Sequence, residues 1–137
     1  MLWSLGVFLK IDAHNGLAVY DQIVRQVKFA VADGALAPGD MVPSVRELAR
    51  ELAINPNTVA RAYRQLQDDG VLVAVRGTGL VVADSARRHC QSERTKLIRA
   101  RLRTVLEEAA NSGLDPQEIE QLFRTESIAA RRNKQKG

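Results

Sequence analysis

The chain of 137 residues is poor in aromatic residues, in cysteine and in long apolar segments. Phe, Trp and Tyr make up 4% of it, so aliphatic side chains must fill any core. Its one cysteine, Cys90, excludes an intrachain disulfide and suits a reducing compartment. No apolar run approaches the roughly 20 residues that span a bilayer, and the apolar start lacks the basic region and cleavage site of a signal peptide. We therefore expect a cytoplasmic protein with no membrane partner.

The sequence also lacks the residue groupings of an active site. His14 and His89 lie far apart, and neither Cys90 nor any acidic cluster adds metal-ligand spacing or a nucleophile motif. Gly77 and Gly79 are not followed by the later glycine of a dinucleotide-binding motif. We therefore predict no enzymatic activity, no metal site and no cofactor.

Charge is present but unevenly distributed. The formal net charge is +4, which favours an anionic partner. Residues 1–84 carry eight Lys and Arg against nine Asp and Glu, whereas residues 85–137 carry twelve against seven. If the N-terminal part binds DNA, its few cations must therefore be well placed. The basic run over residues 87–103 provides either extra phosphate contacts or the solvated face of a helix.

Apolar periodicity and capping signals predict three helices in the first half of the chain. The first covers residues 19–33. Ser44 and Glu47 match a capping box at the start of the second helix, and Asn55 followed by Pro56 opens the third. Two such helices joined by a short turn are typical of a helix-turn-helix.

Two β-branched runs over residues 71–75 and 80–83 then predict a hairpin, and residues 8–12 suggest a short strand. The predicted fold is mainly α with a small β-wing. It is a winged helix-turn-helix over residues 1–84, followed by a short C-terminal helical region.

The C-terminal region contains two amphipathic helices on either side of Gly113. Their apolar stripes need a further surface to cover them, such as a second copy of the chain. We predict a two-helix dimerisation region over residues 85–131 and a disordered basic tail over residues 132–137. The residues assigned to dimerisation are Leu97, Ile98, Leu102, Val105, Leu106, Ile119, Leu122 and Phe123.

Several motifs between residues 19 and 83 resemble the DNA-binding domain of GntR-type bacterial regulators. They are Leu36-Ala37-Pro38-Gly39-Asp40, Val42-Pro43-Ser44-Val45-Arg46-Glu47-Leu48-Ala49, Asn57-Thr58-Val59, Leu66, Asp69-Gly70 and Gly77-Thr78-Gly79. The segment from Asn55 to Tyr63 and the short tail resemble the YtrA subgroup. This resemblance implies dimerisation through a helical tail, often with control of transporter operons. Other GntR classes carry a pyridoxal-phosphate or effector domain, for which this chain has no room.

The chain departs from many GntR proteins at one position. They place an arginine directly after the Thr-Val pair, where this chain has Ala60, and Arg61 follows one residue later. The role of that family arginine therefore cannot be transferred to Ala60.

The predicted function is sequence-specific binding of double-stranded DNA by a homodimeric repressor, with no effector identified. The first turns of a recognition helix read base edges, and the preceding helix crosses the backbone. Arg46 has no partner along its own helix, because Ala49 and Arg50 occupy the neighbouring positions. The residues assigned to DNA are Ser44, Arg46, Asn55, Asn57, Thr58, Arg61, Arg76 and Gly77. The alternatives are an architectural DNA binder and a protein-interaction module.

Overall fold

The computed structural model describes residues 9–136, which fall into two compact units that divide between Leu97 and Ile98. Five helices and one two-stranded antiparallel sheet make up this part of the chain, which confirms the predicted helical fold with a small wing. In chain order they are α1 (Val19–Asp33), α2 (Val45–Leu52), α3 (Pro56–Asp68), β1 (Leu72–Val75), β2 (Gly79–Val82), α4 (Ala86–Asn111) and α5 (Pro116–Lys136).

The ends of the first three helices follow the predicted capping signals. Helix α1 ends at Gly34, whose φ of 87° only glycine adopts without strain. At α2, the Ser44 hydroxyl accepts from the Glu47 amide and the Glu47 carboxylate accepts from the Ser44 amide, both at 3.2 Å. At α3, Oδ1 of Asn55 accepts from the amide of Asn57 at 2.8 Å. The capping box and the asparagine cap are therefore confirmed.

The core of the first unit is aliphatic, as the low aromatic content requires. Apolar side chains from α1, α2, α3 and β1 are shielded almost completely from solvent, and each contributes about 1.5–3 kcal/mol of burial free energy. The largest are Ile23, Val27, Val31, Leu48, Val59, Leu66 and Leu72.

The wing is joined to the segment that precedes α2. Strands β1 and β2 pair with Leu72 opposite Val82. Along the other edge of β2, the Val42 amide donates to the Leu80 carbonyl at 3.0 Å and the Val82 amide donates to the Asp40 carbonyl at 2.9 Å. The base of the hairpin and the entry to α2 are thus held together by backbone hydrogen bonds.

The strand predicted over residues 8–12 is wrong for residues 9–12, and Phe8 lies outside the described residues. Side-chain amides of α1 take the place of a strand partner. The Gln26 amide bonds both the N–H and the carbonyl of Lys10, at 2.7 and 2.8 Å. The Gln22 amide does the same at Asp12, at 2.9 and 2.7 Å. These bonds satisfy the extended backbone without a sheet.

Helix α4 begins inside the first unit, which therefore extends beyond the boundary expected at residue 84. Ala86 and Cys90 are buried, and Nε2 of Gln91 donates to the Ala32 carbonyl at 3.3 Å. Burial raises the pKa of the Cys90 thiol to about 11. The first turns of α4 are thus part of the winged domain.

The second unit consists of the C-terminal part of α4 and all of α5. Gly113 has a φ of 97° at the turn, and the Asp115 carboxylate caps α5 by accepting from the Glu118 amide at 2.9 Å. The basic tail expected to be disordered over residues 132–137 is helical through residue 136, while Gly137 lies outside the described residues. Cations such as Arg132 and Lys134 favour this helical end because it carries the negative pole of the helix dipole. Across the described part of the chain, no helix is both long and apolar enough to cross a membrane.

Candidate nucleic-acid interface

A tight turn joins α2 to α3 and produces the predicted helix-turn-helix. Ala53 adopts a left-handed conformation with φ of 54°, and it is the one residue other than glycine with positive φ within residues 9–136. The Ile54 amide then donates to the Ala49 carbonyl at 3.0 Å. Only three residues therefore separate the end of α2 at Leu52 from the start of α3 at Pro56.

A buried tyrosine connects the middle of α3 to the segment that precedes α2. The Tyr63 hydroxyl, on α3, donates to the Pro43 carbonyl at 2.7 Å, just before α2 begins. Burial raises the pKa of Tyr63, and the nearby carboxylates of Glu51 and Glu47 raise it further. The phenol therefore stays protonated and keeps its donor role. This bond holds the N-terminal end of α2 against α3.

The candidate residues of α2 lie exposed at its N-terminus. Ser44 accepts from the Glu47 amide, which leaves its hydroxyl proton available for another acceptor. Arg46 is in the first turn, and no carboxylate of the described residues lies within ion-pair distance of it. Both groups stand at a helix N-terminus, where the dipole favours an anion.

The candidate residues of α3 occupy its first two turns, on the side away from the core. Asn55, Asn57 and Arg61 are exposed, and Thr58 is half-buried. The Arg61 guanidinium lies over the Tyr20 ring of α1, with Cζ 3.7 Å from the ring centroid. Amide, hydroxyl and guanidinium groups therefore line one outward face.

The last two candidates form the tip of the wing. Arg76 and Gly77 are exposed in a turn closed by the Thr78 amide, which donates to the Val75 carbonyl at 3.0 Å. Gly77 has a φ of 80°, as the third residue of a type II turn requires. A groove of about 430 Å³ is lined by Ser44 on one side and Thr78 on the other. The start of α2 and the wing thus border the same groove.

The second unit brings most of the predicted dimerisation residues together on one apolar surface. A groove of about 430 Å³ runs between α4 and α5. We call it the tail groove; it is lined by Leu102, Val105, Leu106, Ala109, Ile119, Leu122, Phe123, Glu126 and Ser127.

Two residues assigned to dimerisation lie elsewhere. Ile98 is 51% exposed on α4 and does not line the tail groove. Leu97 belongs to the first unit, where it is half-buried beside a small cavity that Tyr20 and Lys28 also line. The difference arises because the first turns of α4 pack onto the winged domain, which draws Leu97 into that unit.

Comparison with known proteins decides the family. A model of bacterial regulatory proteins of the gntR family matches residues 19–82. The HTH-type transcriptional repressor YtrA of Bacillus subtilis is 32% identical over 111 residues, which cover 81% of this chain and 85% of YtrA. The chain belongs to the GntR family. It is a transcriptional regulator of that DNA-binding family, whose members are regulators rather than enzymes.

Solved structures of GntR proteins have the same architecture. A GntR family transcriptional regulator from Listeria monocytogenes superposes with a TM-score of 0.63 and 28% identity, over 81% of this chain and 96% of that one. YtrA from Sulfolobus acidocaldarius, a GntR-family transcription factor, gives a TM-score of 0.53 and 32% identity, over 88% and 97%. The predicted YtrA-like GntR resemblance is therefore confirmed.

The sequence analysis did not predict an ion pair that joins α1 to the end of α3 and so supports the helix-turn-helix. Nζ of Lys28 on α1 lies 2.7 Å from Oδ2 of Asp69 at the end of α3, and Nε2 of Gln65 donates to Oδ1 of Asp69 at 3.0 Å. Lys28 is 5% exposed. The available signal was its position within the apolar stripe of α1, between Val27 and Val31. A lysine there needs a buried partner.

Proposed function

We propose that this GntR protein is a sequence-specific repressor that binds an inverted-repeat operator as a homodimer. The observation that carries the proposal is the polar outer face of α3, where Asn57 and Arg61 project from the first two turns. A recognition helix reads the major groove with these turns. The name of the Bacillus subtilis relative, a transcriptional repressor, supports repression as the output.

The candidate residues divide into two kinds of contact. Arg61 and Asn57 carry the groups that recognise guanine and adenine edges, and the methyl group of Thr58 suits thymine. Ser44 and Arg46 stand at the N-terminus of α2, which favours phosphate. Asn55 already accepts from the Asn57 amide, so its remaining amide protons are what it has to offer DNA. Arg76 and Gly77 suit the minor groove, because the turn exposes both backbone and guanidinium.

The second unit supports the dimeric part of the proposal. Leu102, Val105, Leu122 and Phe123 line the tail groove and are each at least 40% exposed, an arrangement that a monomer does not stabilise. A second copy would cover these side chains and bring two recognition helices together. Such dimers bind half-sites about 34–36 Å apart, in successive major grooves. DNA as the target would place the protein in the bacterial cytoplasm.

Selection from random duplexes followed by footprinting tests the proposal. The full chain should enrich one twofold-symmetric sequence and protect two half-sites about ten base pairs apart or a multiple of that spacing. Arg61→Ala should weaken binding to this site by about 1–3 kcal/mol if the arginine reads a base. Arg124→Ala, which removes an exposed arginine of α5, is the control and should leave sequence preference unchanged.

The other outcomes correspond to the alternative functions. Broad protection without a preferred sequence would indicate an architectural DNA binder. No protection at low salt would indicate a protein-interaction module. Either result would overturn the proposed repressor function.

A further inference from the structure

We propose that Tyr20 is a positioning residue for DNA recognition, because its ring holds the Arg61 guanidinium ready to contact a base or phosphate. The inference rests on the proposed function and extends it to a residue of α1 outside the helix-turn-helix. Tyr20 lies in the first turn of α1, and Arg61 lies in the second turn of α3. Two helices far apart in sequence thus contribute to one contact.

The distance between the two groups is that of a cation–π interaction. Cζ of Arg61 lies 3.7 Å from the centroid of the Tyr20 ring, well within the roughly 6 Å over which the ring attracts a cation. Tyr20 is half-buried and packs against the core, whereas Arg61 remains exposed. The ring therefore supports the guanidinium from the protein side while solvent reaches it from the other.

This contact leaves the hydrogen-bonding capacity of the arginine intact. A guanidinium has five N–H donors in its plane, and stacking engages its face rather than those donors. An ion pair would instead occupy the donors and neutralise the charge. No carboxylate within residues 9–135 forms an ion pair with Arg61. The positions three and four residues away on α3 are also free of acids: they hold Asn57, Thr58, Arg64 and Gln65.

The platform under Arg61 is itself held in place. The Lys28–Asp69 ion pair of 2.7 Å fixes α1 against the end of α3, and the Gln65–Asp69 hydrogen bond of 3.0 Å, at the same end of α3, orients the Asp69 carboxylate. Tyr20, Lys28, Gln65 and Asp69 line the same small cavity. A long arginine side chain that is ordered before binding loses less conformational freedom on binding, which strengthens the complex.

A double-mutant cycle on the full chain tests the inference, with the duplex selected by the wild-type protein as probe. Tyr20→Leu removes the ring and keeps an apolar side chain, and it should weaken DNA binding about two- to fivefold, as expected for an exposed cation–π contact. Tyr20→Phe keeps the ring and should bind within twofold of wild type. In the Arg61→Ala background, Tyr20→Leu should produce no further loss of affinity. Thermal melting of each variant checks that the winged domain stays folded.

The possible outcomes separate failure of the Tyr20 inference from failure of the proposed repressor function. If the wild type selects no duplex, the proposed function fails and the inference fails with it. If Arg61→Ala weakens binding but Tyr20→Leu does not, the inference alone is overturned. Equal losses from Tyr20→Leu with and without Arg61 would also overturn it, because Tyr20 would then act through the fold. If Tyr20→Phe binds as weakly as Tyr20→Leu, the hydroxyl and not the ring is responsible, which again contradicts it.

Discussion

The two units of this protein use the same kinds of aliphatic residue in different ways. In the first unit, apolar side chains from α1, α2, α3 and the wing enclose one another, and many have no solvent exposure. In the second unit, no side chain among residues 98–135 is fully buried, although Leu106 and Leu122 are as apolar as any core residue. Amphipathic patterning alone therefore specifies a helix, but it does not specify whether the chain itself covers its apolar face.

The contrast predicts two different kinds of stability. The first unit should unfold with a free energy that its own packing sets, independent of protein concentration. The second should gain stability from the mass action of a partner copy, so its behaviour should change with concentration. The following four changes test this contrast, starting with the largest expected effect.

Leu66→Ala should be the most damaging change. Leu66, in the last turn of α3, has no solvent exposure, and loss of its side chain should lower the free energy of unfolding by about 2–5 kcal/mol through lost burial and a residual cavity. Amide hydrogen exchange in α1 under native conditions measures the change. A loss below about 1 kcal/mol would show that the core closes around the truncation and is less tightly packed than described.

Phe123→Ala should act on association instead of on the winged domain. Its ring lines the tail groove, and its truncation should weaken the dimer by about 2–4 kcal/mol if Phe123 is a central contact. Sedimentation equilibrium measures the effect. Ile128→Ala is a matched control, because Ile128 is 54% exposed against 55% for Phe123 but does not line the groove. Equal effects of the two changes would contradict the assignment of the groove as the dimer contact.

Asp69→Asn should destabilise the first unit by a smaller amount. It leaves the Lys28 ammonium buried without its anion, which should cost about 1–3 kcal/mol in a site where the carboxylate is partly solvated. The neighbouring Asp68→Asn removes the same charge from an exposed position and should stay within about 0.5 kcal/mol of wild type. Urea denaturation compares them. Similar values for both variants would mean that the ion pair contributes nothing specific.

Cys90 should make the smallest contribution, visible only at alkaline pH. Burial raises its pKa from 9.0 to about 11, so the folded protein holds the thiol proton more tightly than the unfolded chain does. The resulting stability is fully present below pH 9 and is lost as the pH rises towards 11. Between pH 9 and pH 10 the loss should be about 1 kcal/mol. The difference between wild type and Cys90→Ala in denaturation series measures it, and a constant difference across this range would contradict the burial of the thiol.

Local signals in the sequence predict most of the fold. The capping box at Ser44, the Asn55 cap and the glycine after α1 define helices that the structure reproduces, because each signal acts within a few residues. The contacts between Lys28 and Asp69 and between Tyr20 and Arg61 join residues 41 positions apart in both cases, and only the packing of α1 on α3 creates them. At residues 9–12 the sequence predicts a strand that does not form. The backbone is extended there, but its hydrogen-bonding groups are satisfied by the side chains of Gln22 and Gln26.

The candidate DNA contacts are predictable in kind but not in arrangement. Residue types and helix position identify Arg46, Asn57 and Arg61 from the sequence. Two contacts at this site cannot be predicted from sequence periodicity, because they depend on distances in the folded protein. Arg61 stacks on the Tyr20 ring, and the Tyr63 hydroxyl joins α3 to the start of α2. The packing of the first turns of α4 on the winged domain also escapes prediction, because Ala86 and Cys90 are buried by a surface that forms only on folding.

The turn at the tip of the wing leaves little room for chemical variation. Gly77 is required by its positive φ, and the Thr78 amide is engaged by the Val75 carbonyl. Arg76 and Thr78, whose side chains are exposed, are therefore the positions where a different side chain changes what the hairpin offers a neighbouring molecule without changing its shape. Libraries for engineering altered specificity should therefore begin with these two residues and keep Gly77 and the loop length unchanged.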